Sequence, residues 1–231
     1  MSTNLSGNIL TLGDTNLDES YLKLIKDQYV PTDNCKVGDT VILDGIECLC
    51  VATGVTIQGS NLTRIAVDKN HDLGYYQKYV GLLQNDIDTK QIRSWRWGGY
   101  GTKLGNTSKE VGYGLQNTIN CLANTKNYTK GTYSGTTGKG YPWLWIGVND
   151  FRSSHSGKWF VPSVNELKDY VYPNKSSLTF DETTGGSSTD EFWSSSEASA
   201  NTSYYMGFHD GYPGSGRYKH DMIAVRLCRA F

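Results

Sequence analysis

Asp44-Gly45 constrains this sequence more than any other pair of residues. It separates Val41-Ile-Leu43 from Ile46-Glu-Cys-Leu-Cys-Val51. A two-residue connection of this composition suits a type I′ turn, which needs positive φ at both central positions and joins antiparallel strands. The flanking runs are therefore expected to form a hairpin, with Arg64-Ile-Ala-Val67 as a third strand. Cys48 and Cys50 alternate along that hairpin and share a face. Zinc pairs normally take two to four intervening residues, so this spacing argues against one. With Cys35, Cys121 and Cys228 the cysteine number is odd and the spacing sparse. The expectation is reduced, mostly buried thiols without a disulfide framework.

Further along, helical and strand patterns alternate irregularly. Tyr21, Leu22, Leu24 and Ile25 give a short amphipathic helix within 18–29, ended by Pro31. Residues 93–114 carry Trp95, Trp97 and many glycines, hence a loop, and 127–141 and 174–190 read as polar loops. Leu115, Ile119 and Leu122 predict a helix near 114–124. Trp143-Leu-Trp-Ile-Gly-Val148 reads as a buried strand. Ser163 followed by Glu166 is a capping box opening a helix over 163–172, with Val164, Leu167, Tyr170 and Val171 as its apolar face. Ile223 to Phe231 reads as a closing strand near 223–230, with Arg226 and Arg229 on opposite faces and divided between core and solvent. Residues 1–36 form a small appendage and 37–231 the main domain.

Composition excludes more than it assigns. The net charge of −1 offers no global field toward nucleic acid or an acidic membrane. No window approaches the about 20 apolar residues of a membrane span. The N-terminus lacks a basic region followed by an apolar one, so synthesis in the cytoplasm without a signal peptide is expected. The Asn-x-Ser/Thr triplets at Asn61, Asn127 and Asn201 then carry no glycan reading. The 16 tyrosines beside 26 glycines suit either a loop-rich β domain or an antibody-like binding surface.

Chemistry has weak footing. Gly131 to Gly140 fails as a phosphate loop, because Tyr133 and Gly140 stand where Gly and Ser or Thr are needed. His209-Asp210 and His220-Asp221 could ligate a metal but show no spacing signature. Ser194-Ser-Ser-Glu197 lacks an evident base and reads as a turn or loop with side chain–backbone hydrogen bonds.

Three stretches together resemble a family. They are Trp159-Phe-Val-Pro-Ser-Val-Asn-Glu-Leu167, Phe192-Trp-Ser-Ser-Ser-Glu197, and the end with Phe208, Gly211, Lys219 and Val225-Arg-Leu-Cys-Arg-Ala-Phe231. They are similar to the C-terminal domain of Lcl-type collagen-like adhesins, and so to the C-type-lectin fold of formylglycine-generating-enzyme type. Gly112-Tyr-Gly-Leu-Gln-Asn-Thr118 resembles the helix start that these proteins carry upstream. The resemblance covers 93–231, and 37–92 more loosely. Trp145-Ile-Gly-Val148 also resembles a strand of animal C-type lectins, but their paired cysteines and Glu-Pro-Asn calcium triad are absent, so no calcium site is carried over.

The resemblance implies an α+β, C-type-lectin-like fold with two helices and mixed antiparallel sheets. Proteins of this fold are the usual variable proteins of diversity-generating retroelements, in which template adenines, chiefly of Asn codons, are randomised. Such codons never yield Lys, Glu, Gln, Met or Trp. Within a variable face at about 198–223, Ser199, Asn201, Ser203, Tyr205, Gly207, His209, Asp210, Tyr212, Gly214, Ser215, Gly216, Arg217, Tyr218, His220, Asp221 and Ile223 are all reachable. Met206, Lys219 and Met222 are not, and read as scaffold. The expected function is ligand or receptor binding for attachment, on a phage-tail virion or a cell surface. The expected partner is a protein or glycan on a cell surface, with homo-oligomers left open and neither nucleic acid nor membrane insertion implied. No catalytic residue, metal ligand or cofactor is expected. The alternatives are a formylglycine-generating-type enzyme, which needs two reactive cysteines in one site, and an invariant structural virion or pilus subunit.

Overall fold

The computed structural model describes residues 32–70, 95–124, 143–179 and 191–231. The helix within 18–29, the loop 127–141 and most of the appendage lie outside them. β1 (Thr40–Leu43) and β2 (Ile46–Thr53) pair antiparallel with Leu43 opposite Ile46. Asp44 and Gly45 take φ of 54° and 80°, the turn that their types demand. With β3 (Arg64–Asp68), β5 (Trp159–Phe160) and β10 (Cys228–Ala230) they build a five-stranded sheet in the order β1-β2-β3-β10-β5. Every strand pair in it is antiparallel.

Both faces of this sheet are buried. Cys48, Cys50, Ala66 and Trp159 enter one apolar cluster, and Leu49, Val51, Ile65, Val67 and Phe160 enter the other. A strand covered on both sides has no polar face to alternate with, so Cys48–Val51 is apolar throughout. All five cysteines are buried thiols outside any disulfide. Cys35 already belongs to the first cluster, although the sequence placed it in the appendage.

Among the described residues three helices accompany the sheet: α1 (Gly114–Ala123), α2 (Leu144–Ser154) and α3 (Val164–Glu166). The last continues through a π-helical turn, Leu167–Val171, and a 3-10 turn, Tyr172–Ser177. The Ser163/Glu166 capping box is present in both directions. Glu166 also accepts from the Gly112 and Gly114 amides, so one fully buried carboxylate ties the starts of α1 and α3 together. Burial pushes it up to about 7, against backbone N–H donors that pull it down. Gly114 is required there, since a Cβ would lie 2.2 Å from Glu166 Oε2 and 2.8 Å from the Phe160 ring.

The structure corrects several expectations. Trp143–Val148 is not a buried strand; α2 begins at Leu144 and buries Leu144, Trp145, Gly147 and Val148, one face of a helix. A six-residue apolar run cannot by itself separate the two. In α1 Ile119 is exposed, and the buried face holds Asn117 and Thr118 instead. Asn117 brackets Ser108 with its amide, while Thr118 Oγ1 donates to the Val161 carbonyl and accepts from its amide. The closing strand is split into β9 (Met222–Ile223) and β10, because residues 224–227 cross between sheets. Arg226 and Arg229 are both buried rather than divided between core and solvent. Arg226 donates to the Asp68, Lys69 and Thr179 carbonyls. Arg229 grips Asp44 with two hydrogen bonds of 3.0 and 2.9 Å.

Two small sheets complete an α+β arrangement. β4 (Trp95–Arg96) pairs with β9, and β6 (Glu191–Glu197), β7 (Thr202–Gly207) and β8 (Pro213–Tyr218) form an antiparallel sheet. Among the described residues no helix is long and apolar enough to cross a membrane.

Candidate functional site

The β6-β7-β8 sheet and the turns around it carry the residues singled out above. Strand β6, at one edge of the sheet beside β7, is buried from Glu191 to Ser196. Ser194–Ser196 therefore lie in a strand, not in the expected turn. Between Trp193 and Glu197 the register with β7 slips, which leaves backbone groups without ladder partners. The serines are small enough to enter that gap and satisfy them. Ser194 Oγ donates to the Tyr204 carbonyl, Ser203 Oγ to the Ser196 carbonyl, and Ser196 Oγ to the Ser108 carbonyl.

Beneath the surface lies a buried ion pair. Lys219 Nζ is 2.6 Å from Glu197 Oε1, and the two side chains are 0% and 1% exposed. Lys219 also donates to the Thr102 carbonyl and lies 4.9 Å from the centre of the Trp97 ring. Glu197 accepts from the Leu104 and Gly105 amides. Burial holds the Lys219 ammonium below its ordinary pKa, and Glu197 acts in the opposite direction. The Trp193 indole donates to the Trp95 carbonyl and the Trp97 indole to the Ser194 carbonyl. Strands β4 and β6 and the loop 98–107 are thus locked to the segment 197–219.

The sixteen sequence-selected residues divide on this frame. Asn201, His209, Asp210, Tyr212, Ser215, Gly216 and Tyr218 are exposed, and Ser199, Tyr205, Arg217, His220 and Asp221 are half-buried. Ser203, Gly207, Gly214 and Ile223 are buried, contrary to the expected exposure. Ser203 fills the β6 irregularity, and Ile223 pairs with Trp95. Gly207 is packed by Asp210 and His209, and Gly214 lies against the Tyr205 ring, 2.3 Å from where a Cβ would be. Met206 and Lys219, read as scaffold, are fully buried, as are Trp193, Val225 and, nearly so, Leu227 and Phe208.

Two connected patches result. In the first, Arg217 pairs with Glu191 at 2.6 Å and lies 5.5 Å from the centre of the Tyr205 ring. Burial pushes the Tyr205 phenol up, with Glu191, Tyr212 and Asp210 adding to the rise. Arg217 is in turn raised, first by its hydrogen bond to Glu191, with Asp221 contributing. In the second, the Tyr218 and His220 rings stack at 5.3 Å and 9°. Tyr100 lies 4.8 Å from His220 and 6.2 Å from Tyr218. The Tyr218 amide donates to Asp221, which links the two patches. Tyr100 and Glu191 were missed from the sequence. Tyr100 had a signal, an aromatic residue among Gly98, Gly99 and Gly101.

His209 lies 3.2 Å from Asp210 and His220 lies 3.6 Å from Asp221. Among the described residues no group of three or more His, Cys, Asp or Glu is placed to hold a metal ion. Comparison with models of known protein families and with curated proteins gives no match to this chain.

Proposed function

We propose that this chain is a ligand- or receptor-binding protein on a C-type-lectin-like scaffold, with its C-terminal surface diversified by a retroelement. One observation carries the reading. Residues unreachable from a randomised Asn codon, Met206 and Lys219, are buried, whereas Asn201, His209, Asp210, Tyr212, Ser215 and Tyr218 are exposed beside them. Tyrosine offers rigid amphipathic contact area at low entropy cost, and small neighbours give room for it. Holding these side chains on a frame locked by the Lys219–Glu197 pair lowers the ordering cost of binding. The partner in this reading is a protein or glycan on a cell surface, and the site of action is a phage tail or a cell surface.

The test is binding of the labelled chain to glycan arrays and to panels of bacterial cells. Tyr212→Ala/Tyr218→Ala should weaken every interaction found by at least roughly tenfold, with the melting temperature unchanged. Unaltered binding by that variant would refute the assignment of the face. The alternative, an enzyme of formylglycine-generating type, needs reactive thiols. Burial pushes the thiols of Cys48, Cys50, Cys228 and Cys35 up, which works against it.

A further inference from the structure

Strand β1 ends the five-stranded sheet, with β2 on its inner side. The Cys50 amide donates to the Asp39 carbonyl at 2.8 Å, so Asp39 turns its backbone groups toward β2. Successive residues of a strand point these groups to opposite sides. Val41 and Leu43 therefore also face β2, and Thr40 and Ile42 direct their amides and carbonyls outward. Among the described residues no backbone hydrogen bond reaches that outer side. The devices that usually protect an edge are missing from the strand. Thr40–Leu43 holds no charge and no proline, and it pairs with β2 without a register shift. Ile42 is half-buried yet belongs to neither apolar cluster, and Val37, just before the strand, is 52% exposed.

We propose that β1 is the docking edge for a second copy of this chain, paired antiparallel about a two-fold axis with Val41 opposite Val41. In that register Thr40 of each copy faces Ile42 of the other, and their outward amides and carbonyls bond one another. A slip of one residue would set outward groups against inward ones. A slip that placed Ile42 opposite Ile42 would send Thr40 to Asp44, whose φ of 54° takes it out of the strand. The charges suit the first register, because Asp39 meets Leu43 and Asp44 meets Gly38, so no like charges lie opposite. A Cβ at Gly38 or Gly45 would meet nothing within 4 Å, so the backbones have room at both ends, where the turn of one copy covers Val37 of the other. Lys69 lies 2.8 Å from Glu47 and 3.5 Å from Thr40 Oγ1, and this pair forms a polar rim. The strand is short, so the contact falls below about 1,200 Å² and the dimer is weak. The two-fold axis closes it against further growth. None of the residues of the β6-β7-β8 surface is used. Two such surfaces carried together raise the apparent affinity for a repetitive target; that consequence rests on the binding reading above, and the pairing does not.

The experiment is sedimentation velocity of the full chain from about 1 μM to about 1 mM, the range in which weak interfaces dissociate, with amide-resolved hydrogen exchange by NMR at both ends of it. The expected result is a monomer–dimer equilibrium, with protection of the Thr40 and Ile42 amides rising with concentration. Ile42→Pro removes an outward amide that β2 does not use, so it should raise the dissociation constant at least about tenfold and leave the fold intact. Thr40→Lys keeps the backbone and brings a charge to the edge, and should weaken the dimer to a similar extent. A monomer at every concentration would overturn the proposal, as would a dimer that both variants leave unchanged. Thr40 and Ile42 amides already protected in the dilute monomer would also overturn it, because another part of the same chain would then cover the edge.

Discussion

Lys219→Met tests whether the exposed face rests on a rigid frame. Lys219 and Glu197 are essentially inaccessible and 2.6 Å apart, so removing one partner strands a buried charge. Breaking such a pair generally costs about 3–5 kcal/mol. After Lys219→Met, Glu197 keeps the Leu104 and Gly105 amides as donors, which places the cost near the lower end, about 3 kcal/mol. After Glu197→Gln, the Lys219 ammonium keeps the Thr102 carbonyl and the Trp97 ring and faces a weaker acceptor, so the cost lies nearer about 4 kcal/mol. The double variant should cost less than the sum by at least about 1 kcal/mol, since neither charge remains. Guanidinium denaturation measures all three, with an unchanged m value as the check on two-state unfolding. A Lys219→Met variant within about 1 kcal/mol of wild type, or strict additivity in the double variant, would refute the reasoning.

Two further perturbations probe the scaffold. Burial raises Asp44, but hydrogen bonds from Ser156, Arg229 and Trp159 overcome it and hold the carboxyl at about 2 against 3.8. Because the folded value is depressed, its stabilisation is fully present above about pH 4 and is lost as pH falls toward about 2. Screening at this exposed turn reduces it to about 1–2 kcal/mol, so Asp44→Asn should remove that part of the acid dependence in denaturation measured from about pH 6 to 2. Gly114→Ala should destabilise by about 2–3 kcal/mol, because the new methyl meets both Glu166 and the Phe160 ring; a melting curve matching wild type would contradict this.

Legibility from sequence depended on whether a local rule was complete. The Asp44-Gly45 turn and the Ser163/Glu166 box each state their geometry within a few residues, and both appear as expected. Trp143–Val148 lacked such a rule, because a short apolar run suits a buried strand and a buried helix face equally. Ser194–Ser196 misled because small polar residues usually mark turns; here they fill a strand irregularity whose partners, Ser108, Tyr204 and Ser203, are distant in sequence or set by register. At the surface, codon reachability marked Met206 and Lys219 as enclosed but missed the enclosed neighbour Gly207. It could not separate Gly214 or Ser203 from exposed positions, since their burial depends on the Tyr205 ring and on β6. Nothing local linked Tyr100 to Tyr218 and His220, which meet only through the loop 98–107.

Sequencing of the locus, across related isolates and with its flanking DNA, tests the diversified-surface reading most directly. Expected is a near-copy of the 3′ coding end beside a reverse transcriptase gene, with Asn codons in that copy at Asn201, His209, Asp210, Tyr212, Ser215, Tyr218 and His220. Substitutions should concentrate there, while Trp193, Glu197, Met206 and Lys219, enclosed beneath the surface, stay fixed. Absence of the copy, with substitutions spread evenly over exposed residues of the whole chain, would contradict a diversified binding face.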